Sequence, residues 1–317
     1  MLNINNTLKF FKKFFFGKEL FLVNSALEYL CLVEWTFKNK YNKKNMCVVI
    51  GFTTNKSINQ IRELDKTYFN YNNLFFLKDI FNEYIFRLII NVYKIFHVKK
   101  ELVVVGDYKY YLNQPIYNRA KKFILLDEGI SLTRLKNFDI KNKNYEIFSI
   151  FNFFKQEKLV LNKFHYLSKK LSPKEKIDKN LIFLLGTSAA EYNLITKKFY
   201  YEKIIKFSKL HYDKKIIFIP HREDKIFEEY LMPENITIKK MNKPIEVEII
   251  FMETFPKIIA GFYSSALLNL SIILGSRAID IINIAYDTTE YKDELIKGSF
   301  ETVTKLPQFK SIEQLKI

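Results

Sequence analysis

Short apolar runs that stop at a glycine or a polar turn recur along this chain, and most are followed by a stretch that opens like a capped helix. Residues 20–23 run into Asn24-Ser25, and Ser25-x-x-Glu28 has the spacing of a capping box. Residues 47–50 stop at Gly51, with Ser57-x-x-Gln60 placed to cap the next helix. The run 102–105 ends at Gly106-Asp107, and 123–126 ends at Asp127-Glu128-Gly129. Runs this short suit buried strands, and their alternation with helices predicts parallel sheets made of βα units.

A basic, aromatic region without clear periodicity covers 141–170, and 172–180 is polar and reads as a linker. Then the same grammar restarts. Residues 181–185 stop at Gly186-Thr187-Ser188, where Ser188-x-x-Glu191 predicts a helix reaching about residue 210. Strands are expected over 216–219, 236–241, 257–260 and 278–282, with a helix over 266–274 that Gly275 ends. The expected architecture is α/β, with two Rossmann-like doubly wound domains facing a central cleft. The first spans 1–171 and carries a basic aromatic N-terminal segment; the second spans 180–317.

Length and composition fit that picture. The 317 residues suit two domains of roughly 150 each, and 48% apolar content excludes a disordered chain. There are 51 basic and 34 acidic residues, a net charge of +17. Either a polyanionic partner or the drift of an AT-rich genome, which enriches Lys, Asn, Ile, Phe and Tyr, accounts for that excess. Cys31 and Cys47 form no disulfide framework or metal spacing, so a reducing compartment is expected. No cleavable signal is visible, and the longest apolar stretch, 84–96, is interrupted by Arg87 and Lys94. Residues 1–18 mix phenylalanine with lysine, which suits either an interfacial membrane anchor or a first helix packed on its own domain.

The candidate chemistry lies at the ends of the apolar runs, the edge of an α/β sheet where ligands bind. Asp127 could accept a proton from an attacking hydroxyl, or cap a turn. The run 216–219 breaks at Pro220 into His221 and Arg222, a proton donor and a phosphate-holding cation, or a satisfied structural histidine. Gly186-Thr187-Ser188 and Ser264-Ser265 stand at expected helix N-termini, where N–H groups and hydroxyls can hold a phosphate or simply cap. There is no Asp-x-Asp, Walker loop or clustered metal-ligand spacing, so a single phosphate fits better than a metal-bound diphosphate.

Four motifs together resemble the bacterial sialyltransferases of glycosyltransferase family 52, which act on lipooligosaccharide, and the related polysialyltransferases. They are Leu20-Phe21-Leu22-Val23-Asn24-Ser25-Ala26-Leu27-Glu28, Leu126-Asp127-Glu128-Gly129, Pro220-His221 and Tyr263-Ser264-Ser265-Ala266-Leu267. The family places proline after its histidine, whereas here Arg222 follows and Pro220 precedes. The resemblance implies a two-domain fold of glycosyltransferase B type and an inverting sialyltransferase that needs neither cofactor nor metal. CMP-sialic acid is then the donor and a cell-surface glycan the acceptor. Asp127 would activate the acceptor hydroxyl, and His221 would meet the phosphate of departing CMP. Ser264 and Ser265 would bind that phosphate, with Gly186, Thr187, Ser188 and Arg222 lining the donor site. Glu246, with Glu248 as its rival, would hold the ribose, and Asn24, Ser25, Glu128 and Gly129 would lie on the acceptor side.

The resemblance further implies a peripheral enzyme on the inner face of the bacterial inner membrane, touching anionic lipid, and it allows a homodimer. Alternatives are a capsule polysialyltransferase, an enzyme using another CMP-nonulosonic acid, and a noncatalytic basic protein that binds membrane or nucleic acid. The last leaves Asp127, His221 and the serine pair without a role, and no nucleic-acid-binding module is recognisable.

Overall fold

The computed structural model describes residues 4–42, 46–66, 71, 73–108, 112–127, 144–151, 158–171, 176–221, 224–262, 264–275, 277–285 and 312–316. The chain divides into two compact units, Met1–Tyr166 and Leu167–Ile317.

The N-terminal unit opens with α1 (Ile4–Phe16), β1 (Glu19–Val23), α2 (Ala26–Lys38), β2 (Val48–Ile50) and α3 (Asn55–Leu64). It continues through β3 (Leu74–Phe76), α4 (Leu77–Ile80), α5 (Glu83–Ile95), β4 (Leu102–Val105) and α6 (Gln114–Tyr117). It closes with β5 (Lys122–Leu126), β6 (Tyr145–Ser149) and β7 (Leu159–Leu161), and the division between the units falls inside α7 (His165–Lys170). The strands form one sheet in the order β3-β2-β1-β4-β5-β6-β7, and every described pairing is parallel. From β1 the chain builds outward through β2 and β3, then returns to lay β4 on the other side of β1. In open α/β sheets such a reversal, here at the carboxyl ends of β1 and β4, is where ligands bind.

The C-terminal unit repeats the scheme. It contains β8 (Lys176–Leu185), α8 (Lys197–Leu210), β9 (Lys215–Ile219), α9 (Ile226–Glu229) and β10 (Ile236–Ile238). Then follow α10 (Ile245–Glu248), β11 (Thr254–Gly261), α11 (Ser265–Leu274), β12 (Asp280–Ala285) and β13 (Glu313–Lys316). The parallel order β10-β9-β8-β11-β12-β13 reverses at β8. These are two Rossmann-like α/β units, as the alternation of apolar runs and caps predicts. The strand centres are buried on both faces, which is why they read as unbroken apolar runs rather than alternating ones.

Several boundaries differ from the sequence expectation. The helix expected to be capped at Ser57 starts three residues earlier, because Thr54 accepts the Ser57 N–H. The expected helix at Ser188 starts only at Lys197, with Thr196 as its cap, and a series of turns fills the gap. Residues 176–180, read as linker, are the polar beginning of β8 and pair with β11 through Lys176↔Thr254 and Ile177↔Phe255. Strands β3, β6, β7 and β13 are not among the strands expected from sequence, although β3 and β7 are short apolar runs, Leu-Phe-Phe and Leu-Val-Leu.

The N-terminal helix is part of its unit's core. Phe10 and Phe14 are fully buried, Phe10 meeting Phe75 and Phe81 edge-on, and Phe14 meeting Phe86. Burial of each ring is worth roughly 2 kcal/mol. The helix is tied down at its end by Lys100, a buried lysine just before β4, whose ammonium donates to the carbonyls of Phe14, Phe15 (3.2 Å) and Gly17 (2.6 Å). Three carbonyls at a helix C-terminus are a favourable place for a cation. Burial still lowers the Lys100 pKa to about 8, so the group stays charged at neutral pH. No helix among the described residues is long and apolar enough to cross a membrane.

Replacing Lys100 with methionine leaves those carbonyls without their charged donor. The expected loss is about 2 kcal/mol of unfolding free energy, read as a lower urea midpoint. A variant as stable as the parent would show that the helix end finds other donors.

Candidate functional site

In the C-terminal unit the ends of three neighbouring strands, β9, β8 and β11, carry most of the residues singled out from sequence. Gly186, Thr187 and Ser188 follow β8, His221 follows β9, and Ser264 and Ser265 follow β11. They therefore collect at the point where the strand order reverses. Gly186 donates its N–H to Ile219 O at 2.8 Å. A methyl group on it would stand 2.5 Å from Asp224 Oδ2 and 2.9 Å from the His221 amide nitrogen. Only a residue without a side chain lets the β8 loop lie against the β9 turn this closely.

Ser264 caps α11, its hydroxyl oxygen accepting the Ala266 N–H at 3.2 Å. Ser265 begins the helix, and both serines are half-buried. The α11 N-terminus therefore keeps the N–H groups and hydroxyls that an anion site requires. The Gly186 loop differs from expectation here. No helix starts at Ser188, so the loop lacks a helix dipole, and Thr187 Oγ1 instead accepts the Ala189 N–H.

A buried network missed from sequence holds this loop. Tyr200, in the first turn of α8, accepts the Thr187 N–H on its hydroxyl oxygen at 3.1 Å and donates to Asp224 Oδ2 at 2.9 Å. Asp224 Oδ1 accepts the Ile226 N–H at 3.0 Å. Burial is the main cause that raises the Asp224 pKa, to about 6, and nearby Glu191 adds to it. The ring of Phe262, at the end of β11, meets Tyr200 edge-on at 5.1 Å. Asp224 stands three residues after His221, but its partner Tyr200 lies 24 residues earlier, a distance no local pattern spans.

Glu246 is buried in α10 and accepts from Asn269 Nδ2 of α11 at 2.9 Å; burial raises its pKa. Glu248, two residues on, is half-exposed.

In the N-terminal unit, Ser25 caps α2 by accepting the Glu28 N–H, and Glu28 Oε2 accepts the Asn24 N–H at 2.7 Å, so the capping pattern is present. The Asn24 side chain packs over Gly51, and the Glu28 carboxylate lies over Gly106. Asp127 directly follows β5 and is 2% exposed. Its Oδ2 accepts from Ser149 Oγ at 2.8 Å and from the Ile150 N–H at 3.0 Å, both at the end of β6. Glu128, Gly129 and Arg222 lie outside the described residues. Among the described residues no three His, Cys, Asp or Glu side chains converge as a metal site requires.

By sequence the chain matches no protein-family model and no curated protein. Its structure is similar to UDP-GlcNAc 2-epimerase of Methanocaldococcus jannaschii, solved with UDP-GlcNAc and UDP. Identity is 12%, covering 84% of this chain and 83% of that one, with a TM-score of 0.56. Staphylococcus aureus MnaA, solved with UDP, gives 11% identity, 94% and 91% coverage and a TM-score of 0.56. Neisseria meningitidis UDP-GlcNAc 2-epimerase, bound to UDP-GlcNAc, gives 11%, 90% and 90%, and 0.54. At such identities the likeness is one of fold, the two-unit α/β fold of glycosyltransferase B type.

Because the folded-state pKa of Asp224 is raised from an ordinary 3.8, its burial favours the folded state below about pH 4, and that contribution fades as the pH rises through about 6. Asp224→Asn removes the titration. The variant should gain stability relative to the parent between about pH 4 and pH 7.5, followed by urea unfolding. A constant difference across that range would mean that Asp224 does not titrate there.

Proposed function

We propose that this chain is an inverting glycosyltransferase whose donor is a CMP-linked nonulosonic acid, CMP-sialic acid first among them. The observation that carries the reading is the gathering of the Gly186 loop, His221 and the Ser264-Ser265 helix start on the ends of three adjacent strands. A helix N-terminus with two hydroxyls and an imidazole, the latter on a turn that Gly186 lets lie against the β8 loop, suit one phosphate. The leaving group of such a donor is a nucleoside monophosphate, whose developing charge hydrogen bonds and a proton can stabilise without a metal.

In this reading Ser264 and Ser265 hold the phosphate, and His221 donates to it as the glycosidic C–O bond breaks. Asp127 takes the proton of the attacking hydroxyl. Its hydrogen bonds from Ser149 and Ile150 fix the carboxylate's orientation, so the acceptor must come to it. Glu246, which accepts from Asn269 and is held in place by it, contacts the ribose, with Glu248 as its rival. Arg222 is assigned to the phosphate, Asn24, Ser25, Glu128 and Gly129 to the acceptor side. The acceptor is a cell-surface glycan, lipooligosaccharide or a growing capsule polymer, met on the inner face of the inner membrane. These finer assignments rest on the four-motif resemblance. A second reading, a UDP-GlcNAc 2-epimerase, is favoured by the fold likeness to proteins solved with UDP and UDP-GlcNAc.

Thermal unfolding in the presence of a metal chelator separates the two. CMP and CMP-sialic acid at saturating concentration should raise the melting temperature by a few degrees, as a ligand at about 100 times its Kd adds about 2.7 kcal/mol. Stabilisation by UDP-GlcNAc alone would favour the epimerase, and no stabilisation by any nucleotide would remove both readings. His221→Ala and Asp127→Asn should each lower sugar transfer about 100-fold or more while the chain still melts cooperatively. An Asp127→Asn protein with normal turnover would make Asp127 a strut between β5 and β6.

A further inference from the structure

The helices α1 and α5 present apolar residues on two faces, only one of which is used by the core. On α5, Phe86, Ile89, Ile90 and Tyr93 are buried. Ile85, Leu88, Val92, Ile95 and Phe96 form a second stripe at helical spacing, with Leu88 64% and Phe96 73% exposed. Beside it, Phe11 and Phe15 of α1 join Phe16, Leu88, Val92 and Phe96 in walling a groove of about 850 Å³. Phe16 is 85% exposed, and Leu8 also faces solvent. A contiguous apolar patch of this kind on one compact unit marks a contact surface.

Its rim says what the contact is with. Helix α1 has no acidic residue, and Lys9 and Lys12 lie exposed beside Leu8 and Phe16. Lys18, Lys94 and Lys99 are also exposed at the ends of the two helices. Glu83 is the acid on α5, and Arg87 pairs with it at 3.0 Å. Apolar side chains ringed by lysines match the interface of an anionic bilayer, where rings and aliphatic chains enter the headgroup boundary and ammonium groups meet lipid phosphate.

We infer that the paired outer faces of α1 and α5 form a membrane-docking surface for anionic lipid. The surface is composite and built on the folded unit. It differs from a detachable N-terminal anchor, because Phe10 and Phe14 bind α1 into the core and its removal would open that core. The inference identifies the lipid-contacting surface of the function proposed above, yet it stands on its own residues, and vesicle binding does not depend on any nucleotide.

Sedimentation of the full chain with phosphatidylcholine vesicles, with and without phosphatidylglycerol, tests it. The parent should pellet with the anionic vesicles and release at high salt. The double variant Leu88→Ser, Phe96→Ser should bind about tenfold more weakly or worse, and Lys9→Glu, Lys12→Glu should lose the preference for anionic lipid. Unchanged melting temperatures are expected, since all four side chains face solvent. A parent that stays in the supernatant, or a serine variant that binds like it, overturns the inference. So does a lipid-free dimer that the serine substitutions dissolve, which would make this face a contact between copies of the chain. If vesicles bind and no nucleotide does, the docking surface holds and the glycosyltransferase reading falls.

Discussion

In each unit a buried carboxylate stands over a strand-ending glycine, and the loops around the reversal point depend on that contact. In the N-terminal unit the Glu28 carboxylate covers Gly106 and accepts the Asn24 N–H, so the start of α2 packs directly against the end of β4. In the C-terminal unit Asp224 covers Gly186 and fastens the β8 loop to the β9 turn. A larger residue at either glycine would collide with that carboxylate, since an added methyl would stand 1.9 Å from Glu28 Oε2 at Gly106 and 2.5 Å from Asp224 Oδ2 at Gly186. Loops placed this firmly are what a sheet edge needs if it is to hold a ligand.

The two carboxylates have different surroundings. Glu28 sits in the first turn of a helix, where a negative charge is favoured. Asp224 is held by a tyrosine hydroxyl and one backbone N–H, and burial raises its pKa to about 6. An anionic ligand beside the Gly186 loop would meet this group nearly neutral in mild acid and charged at higher pH, so the same contact that shapes the loop also makes the edge sensitive to pH.

The abundance of phenylalanine and lysine has two separate physical outcomes in the N-terminal unit. Inward, Phe10 and Phe14 pack edge-on against other rings, and one lysine, Lys100, is buried to hold a helix end. Outward, Phe16, Phe96 and the exposed lysines make a surface that is apolar and basic at once. Compositional drift can supply such residues, but their sorting onto these faces is set by the 3.6-residue period of α1 and α5.

The sequence by itself determined the class of fold and the positions of the strand ends, because parallel strands buried on both faces must be apolar runs and must turn at glycine or a polar residue. For the same reason Gly186, His221 and Ser264 were legible as one edge. Strand β13 was not, since Glu-Gln-Leu-Lys at a sheet margin is held by pairing rather than by composition, and β3 was not because three apolar residues leading straight into a helix carry no strand period. The start of α8 was misplaced because Ser188-x-x-Glu191 satisfies a capping pattern that the turn after Thr187 overrides. Tertiary structure alone decided that Asp127 would be engaged by Ser149 and Ile150, that Asp224 would find Tyr200, and that α1 would share its outer face with α5. Each of those contacts joins residues far apart in the chain, and hydrogen bonding and apolar contact act through space without leaving a local pattern to read.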